Sequence, residues 1–174
     1  LIDAPYTRAD AHRVVAAILD SGLELETIYI THDHPDHYYS AEVVRQAFPN
    51  ARYVSHPAVV KAIWRSLPFK QARWAKVLGT DGPQMRATPA PMEGDTLMLE
   101  GHEVKILGPM QGDHSSNTAL WVPSIRALFP SDMIHNQVVL WFVEHDAAQI
   151  SAYRQSIEQL AKLDPKIVVS GHDQ

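Results

Sequence analysis

Residues 26–37 read ETIYITHDHPDH, and this stretch decides how the rest of the chain is read. Glu26 to Thr31 alternates in character and is rich in β-branched and aromatic residues, which predicts a strand. His32 and His34 stand two residues apart at its end, so their side chains emerge on one side. Asp36 and His37 fall in the turn that follows, where a reversing chain can aim them back at the same space. Four candidate ligands, His32, His34, Asp36 and His37, within six residues are more than one tetrahedral ion with an open position needs. A second ion is therefore expected.

Composition narrows the chemistry. The 174 residues include 10 His and no Cys, so thiolate sites, iron–sulfur clusters, disulfides and a cysteine nucleophile are all excluded. Any metal must be held by His, Asp, Glu or water. The length predicts a single domain over residues 1–174. A net charge of −5 argues against a nucleic-acid partner. No apolar run approaches the roughly 20 residues of a membrane span, and no charged segment followed by an apolar one opens the chain. A cytoplasmic chain with no membrane partner is the expectation. Leu1-Ile2-Asp3 reads as the tail of a strand and Gln174 closely follows another, so opening strands and the extreme C-terminus are expected to be missing.

Working outward, residues 7–21 predict an amphipathic helix with Thr7 or Asp10 as its cap and Gly22 as its stop. A helix is expected from Ser40 to Phe48 and a short strand from Arg52 to Ser55. Residues 57–67 and 69–78 predict two helices broken at Pro68, followed by a turn-rich loop from Gly79 to Pro91. Residues 96–100 and 103–108 flank Gly101-His102, a type II′ hairpin by its glycine. A second hairpin joins 118–122 to 126–130. A helix over 147–163 and a strand over Lys166–Ser170 complete the chain. Helices outside mostly antiparallel sheets are expected.

The H-x-H-x-D-H pattern at His32–His37 resembles the metallo-β-lactamase superfamily, and later motifs follow in that family's order. His114 in GPMQGDHSSNTALWV is similar to its third histidine. Asp132 in ALFPSDMI matches its bridging aspartate, and His172 in KIVVSGH its last histidine. The resemblance implies an α+β fold, the αββα sandwich. It also implies that His32, His34 and His114 hold one ion, that Asp36, His37 and His172 hold another, and that Asp132 bridges them. Two divalent ions are implied, Zn2+ first and Mn2+ or Fe2+ as alternatives. Three departures stand out: Tyr38-Tyr39-Ser40 where the family commonly has glycine, Ser131 in place of the glycine before the aspartate, and Gln111-Gly112-Asp113-His114-Ser115 in place of Pro-Gly-His-Thr.

What the resemblance implies chemically is hydrolysis of a small-molecule substrate, with a hydroxide bridging two ions attacking the carbonyl of an ester, lactone or thioester. Asp36 would orient it and move a proton, and Tyr38 would donate to the developing oxyanion. An aspartate like Asp132 resembles the glyoxalase II and lactonase branches. The alternatives are a β-lactam hydrolase of the histidine-only zinc type, a phosphodiesterase, and a non-catalytic metal-binding domain. Among the other histidines, His135 is the one expected nearest the site. Segment 61–76 interleaves five cations with Trp64, Phe69 and Trp74, which predicts a helix pair with its aromatics turned inward, and the resemblance implies that this region borders the substrate cleft. Oligomeric state has no signature in the sequence.

Overall fold

Thr7 and Gly22 bound the first helix as expected. In the computed structural model, which describes residues 1–85, 87–143 and 145–173, α1 runs Arg8–Ser21. Thr7 Oγ1 accepts from the Asp10 amide at 3.1 Å, and Gly22, at φ +67°, closes the helix by donating to the Leu19 carbonyl. The chain divides into two compact units, Leu1–Met92 and Glu93–Gln174.

In the first unit, β1 (Thr27–Ile30), β2 (Arg52–Ser55) and β3 (Ala90–Pro91) form a three-stranded sheet in that order, every pair parallel. A mostly antiparallel arrangement was the expectation. It fails here because α2 (Ala41–Ala47) and α3 (Pro57–Leu78) separate the strands, and a helical crossover returns the chain in the same direction. Ile28, Ile30, Val43, Val44, Val59, Ile63 and Leu67 make the core, with Val14, Val15 and Ile18 of α1 packed against it.

The predicted break at Pro68 does not occur: α3 is one helix of 22 residues. Proline removes a single bond, to the carbonyl of Trp64, and both residues lie on the exposed side. Buried Ile63 and Leu67 before it, and half-buried Trp74 and Leu78 after it, hold both halves to one core. The aromatics also differ from expectation. Trp74 packs inward, edge-on to Tyr6 with ring centroids 5.5 Å apart, but Trp64 and Phe69 are 59% and 81% exposed.

Helix α3 starts at an unusual cap. His56 Nδ1 accepts from the Ala58 amide at 3.1 Å, and burial pushes the ring's pKa below its ordinary 6.5. Protonation destroys this acceptor, so the unfolded chain takes the proton first as pH falls. The cap's contribution is therefore present above pH 6.5 and lost as pH drops below it. Urea unfolding from about pH 7.5 to about pH 5.5 should show the wild type losing stability relative to His56→Asn, whose amide caps without titrating. Parallel pH profiles would reject this role.

The second unit is a five-stranded sheet, β4 (Thr96–Leu99), β5 (His102–Met110), β6 (Asn117–Val122), β7 (Ala127–Asn136) and β8 (Ile167–Asp173) in spatial order. The first four form the expected antiparallel meander, while β8 lies parallel to β7 after α4 (Ala147–Ala161). The first hairpin turns on Glu100-Gly101 rather than Gly101-His102. Both have positive φ, +50° and +81°, which is the type I′ pattern. β7 runs six residues past its expected end. Pro130 falls where the β7–β8 register shifts, so its missing N–H breaks no regular ladder. Asp146 and Gln149 form a capping box on α4, whose Tyr153 and Leu160 pack with Trp121, Leu128 and Met133.

Among the described residues, no helix is long and apolar enough to cross a membrane. Arg86, within the expected 79–91 loop, lies outside the described residues.

Candidate metal centre

In the first unit the end of β1 delivers the histidine motif, and a tight 3₁₀ turn, Pro35–His37, reverses it. The rings of His32 and His34 have centroids 4.8 Å apart, and those of His32 and His37 4.2 Å. What orients them is Asp3, which the sequence reading did not single out. A parallel bridge from Ile2 to Tyr29 sets Asp3 beside the end of β1. Its Oδ1 accepts from the Thr31 amide at 2.7 Å, and its Oδ2 from the Thr31 hydroxyl and from His37 Nδ1, both at 2.8 Å.

The donor arithmetic then settles two tautomers. The Thr31 hydroxyl gives its one proton to the Asp3 carboxylate, so at 3.1 Å from His32 Nδ1 it can only accept. His32 thus carries its proton on Nδ1, and so does His37, which faces the same carboxylate. Both rings keep Nε2 as a lone-pair donor, the arrangement that carboxylates impose on metal-ligating histidines. Asp3→Ala should lower metal affinity about 10–100-fold, read by chelator competition. Unchanged affinity would show that Asp3 only supports the fold.

His37 Nε2 lies 3.5 Å from Asp36 Oδ2, and in the second unit His172 Nε2 lies 3.2 Å from Asp132 Oδ2. Ligands at about 2.0–2.1 Å from a tetrahedral ion stand about 3.3 Å apart, so each pair is spaced as two ligands of one ion. The donors are all nitrogen and oxygen, which suits a divalent cation. The residues fit the group the resemblance implied.

In the second unit Asp132 lies inside β7 rather than after it, and His172 lies inside β8. Tyr153 of α4 donates to the Asp132 carbonyl at 2.7 Å, pinning that backbone. Burial, then the Asp113 and Asp132 carboxylates, push the Tyr153 phenol above its ordinary range and keep it a proton donor. Ser131 has φ +52°, which explains why glycine commonly precedes this aspartate. His114 sits on the turn between β5 and β6, with Nδ1 3.0 Å from Ser116 Oγ. The neighbouring Asp113 is buried and accepts from Asn117 Nδ2 at 2.6 Å. His145 Nε2 meets the Gly112 carbonyl at 2.9 Å and so ties this turn to the segment before α4. The His135 ring stands 5.1 Å from that of His172, and its Nε2 is buried without a hydrogen-bond partner among the described residues.

Tyr38 is fully buried in the first unit's core, and its hydroxyl has no hydrogen-bond partner among the described residues. Burial holds it protonated, far above the usual tyrosine range. Tyr38 and Tyr39 thus fill core volume where the family commonly has glycine. Asp3, Thr31 and Tyr153 were missed because each acts through a partner at least 21 residues away or through its own main chain. Only Ile2-Asp3, an acid closing an apolar strand tail, carried any local signal.

The metallo-beta-lactamase superfamily model matches residues 3–172. The chain belongs to that superfamily, a family of metallo-hydrolases that bind divalent metal ions. Solved structures agree in fold. A metallo-beta-lactamase family protein from Thermus thermophilus has a TM-score of 0.70 at 20% identity, over 98% of this chain and 63% of its own. The metallo-beta-lactamase from Pontibacter korlensis gives 0.71 at 17%, over 98% and 72%. A protein solved in a di-iron-bound form, TTHA1623, gives 0.67 at 22%, over 92% and 76%. The chain therefore spans less than two thirds of the Thermus thermophilus family protein. No curated protein matches it.

Proposed function

We propose that the chain is a hydrolase of carbonyl substrates, an ester, lactone or thioester, using two divalent ions. As the family resemblance implies, His32, His34 and His114 would hold one ion and Asp36, His37 and His172 the other, with Asp132 available to both. The two units then act as parts of one domain, as a family match running through both supports. The observation that carries the reading is the pair of His–Asp contacts at ligand spacing, 3.5 Å for His37 with Asp36 and 3.2 Å for His172 with Asp132.

Divalent ions held there supply a Lewis acid for the carbonyl oxygen and bring the pKa of a bound water to about 7. The chain's own residues do the rest. Asp3 and Thr31 engage Nδ1 of His37 and His32 and so present Nε2 of each as the ligating nitrogen, and Tyr153 holds the β7 backbone at Asp132. Asp36 has the more accessible carboxylate of the His37 pair, 39% exposed against 6% for the His37 side chain, and takes or returns the proton. Tyr38, packed in the core, is given no step. A small-molecule substrate and a cytoplasmic setting belong to the same proposal.

Metal analysis of the purified protein should find two ions per chain, with zinc, manganese and iron all measured because one structural neighbour is a di-iron form. Metal-loaded protein should then turn over an ester, lactone or thioester faster than a β-lactam or a phosphodiester. Less than one ion per chain, with no turnover after zinc or manganese is added, would sink the proposal. β-Lactam turnover ahead of the others would move the substrate to the class named by the Pontibacter korlensis neighbour.

A further inference from the structure

Between the ligands His32 and His34 sits Asp33, whose side chain is only 2% exposed. A carboxylate this deep requires a cation and further hydrogen bonds. Both come from one face of α3. Lys70 Nζ lies 2.7 Å from Asp33 Oδ2 and also donates to the Asp33 main-chain carbonyl, while Ser66 Oγ donates to the same Oδ2 at 2.8 Å. Ser66 and Lys70 are four residues apart, so they stand one turn apart on the same side of the helix. The clamp therefore grips one residue by side chain and main chain together. Holding the Asp33 carbonyl fixes the plane of the Asp33–His34 peptide, and that plane sets where the His34 ring is aimed.

We propose that Lys70 is a positioning residue for the metal loop, which sets the direction of His34 through its double contact with Asp33. The inference rests on His34 being a ligand, as in the proposed function. It also explains why α3 must run unbroken through Pro68: a helix stopped there would not carry Lys70 to Asp33. Lysine suits the task, because one ammonium has three donors to divide among a carboxylate, a carbonyl and a third acceptor.

The alternative is that the clamp merely fastens α3 to the first unit. The two are separated by measuring metal affinity and the visible spectrum of the cobalt-substituted protein, each well below the unfolding temperature. Lys70→Met should weaken binding of one of the two cobalt ions about 10–100-fold, alter its absorption bands, and lower kcat more than it raises KM. Lys70→Arg should restore much of the affinity. Because Lys70→Met leaves the Asp33 carboxylate buried without its cation, the double variant Asp33→Asn/Lys70→Met provides a second folded background. It should unfold at a higher temperature than Lys70→Met and still show the weakened site. A cobalt spectrum and affinity equal to wild type in either variant, with only the unfolding temperature lowered, would overturn the proposal. Failure of the wild-type protein itself to bind cobalt would instead reject the proposed function.

Discussion

Asp132→Ala should lower kcat/KM on the best substrate by about 10³-fold or more while the chain still folds. A residue shared by two ions contributes to both sites, and losing several kcal/mol of transition-state stabilisation corresponds to about three powers of ten. The fold should survive because Asp132 supports its surroundings through its carbonyl, which accepts from Tyr153 and is kept in the variant. The carboxylate lies 3.2 Å from His172 Nε2, a proposed ligand and not a core contact. Asp132→Asn, of nearly the same size, controls for the space alanine opens. Metal content should fall in both variants, with an unchanged circular dichroism spectrum. Turnover within tenfold of wild type would reject the proposed bridging role of Asp132.

The second large effect is expected at a residue with no side chain. A Cβ placed on Gly171 would lie 2.1 Å from Asp132 Oδ1, 2.6 Å from the Ser131 carbonyl carbon and 2.7 Å from the Asp132 amide nitrogen. Two of these atoms are backbone, so no rotamer change relieves the clash and β7 and β8 must separate. Gly171→Ala should cost about 1–3 kcal/mol, as overpacking does. It should also lower kcat/KM about 100-fold by shifting Asp132 and His172. Thermal unfolding and steady-state kinetics on one preparation measure both. Retention of stability and rate together would mean that β8 does not hold His172 against Asp132 as described.

Both variants test positions whose identity was readable in advance but whose geometry was not. His172 was expected beyond the final strand and Asp132 beyond a short one. Each lies inside a strand because β7 and β8 continue to pair in parallel through Asn136 and Asp173, a contact between segments far apart in sequence. Gly171, the residue before His172, allows close backbone approach between β7 and β8. Ser131 in place of glycine was noticed, but its positive φ appears only in the folded strand.

The boundaries of α1 were legible because a cap is a contact between residues three apart, here Thr7 with Asp10. The metal loop was legible for the same reason, four candidate ligands lying in one turn of chain. The break expected at Pro68 does not form because core contacts on both sides of it carry α3 through, against local propensity. Trp64 and Phe69 misled because an apolar ring on a helix predicts a buried face only on average.

The sequence by itself determined which atoms are offered: histidine nitrogens and carboxylate oxygens, no thiolate, and four of the seven proposed ligands on one loop. Only the tertiary structure decided how they are aimed. Asp3 reaches His37 across 34 residues, Lys70 reaches Asp33 across 37, and Tyr153 reaches Asp132 across 21. Such hydrogen bonds leave no periodicity in the chain, because their partners are brought together by strand pairing and core packing rather than by spacing.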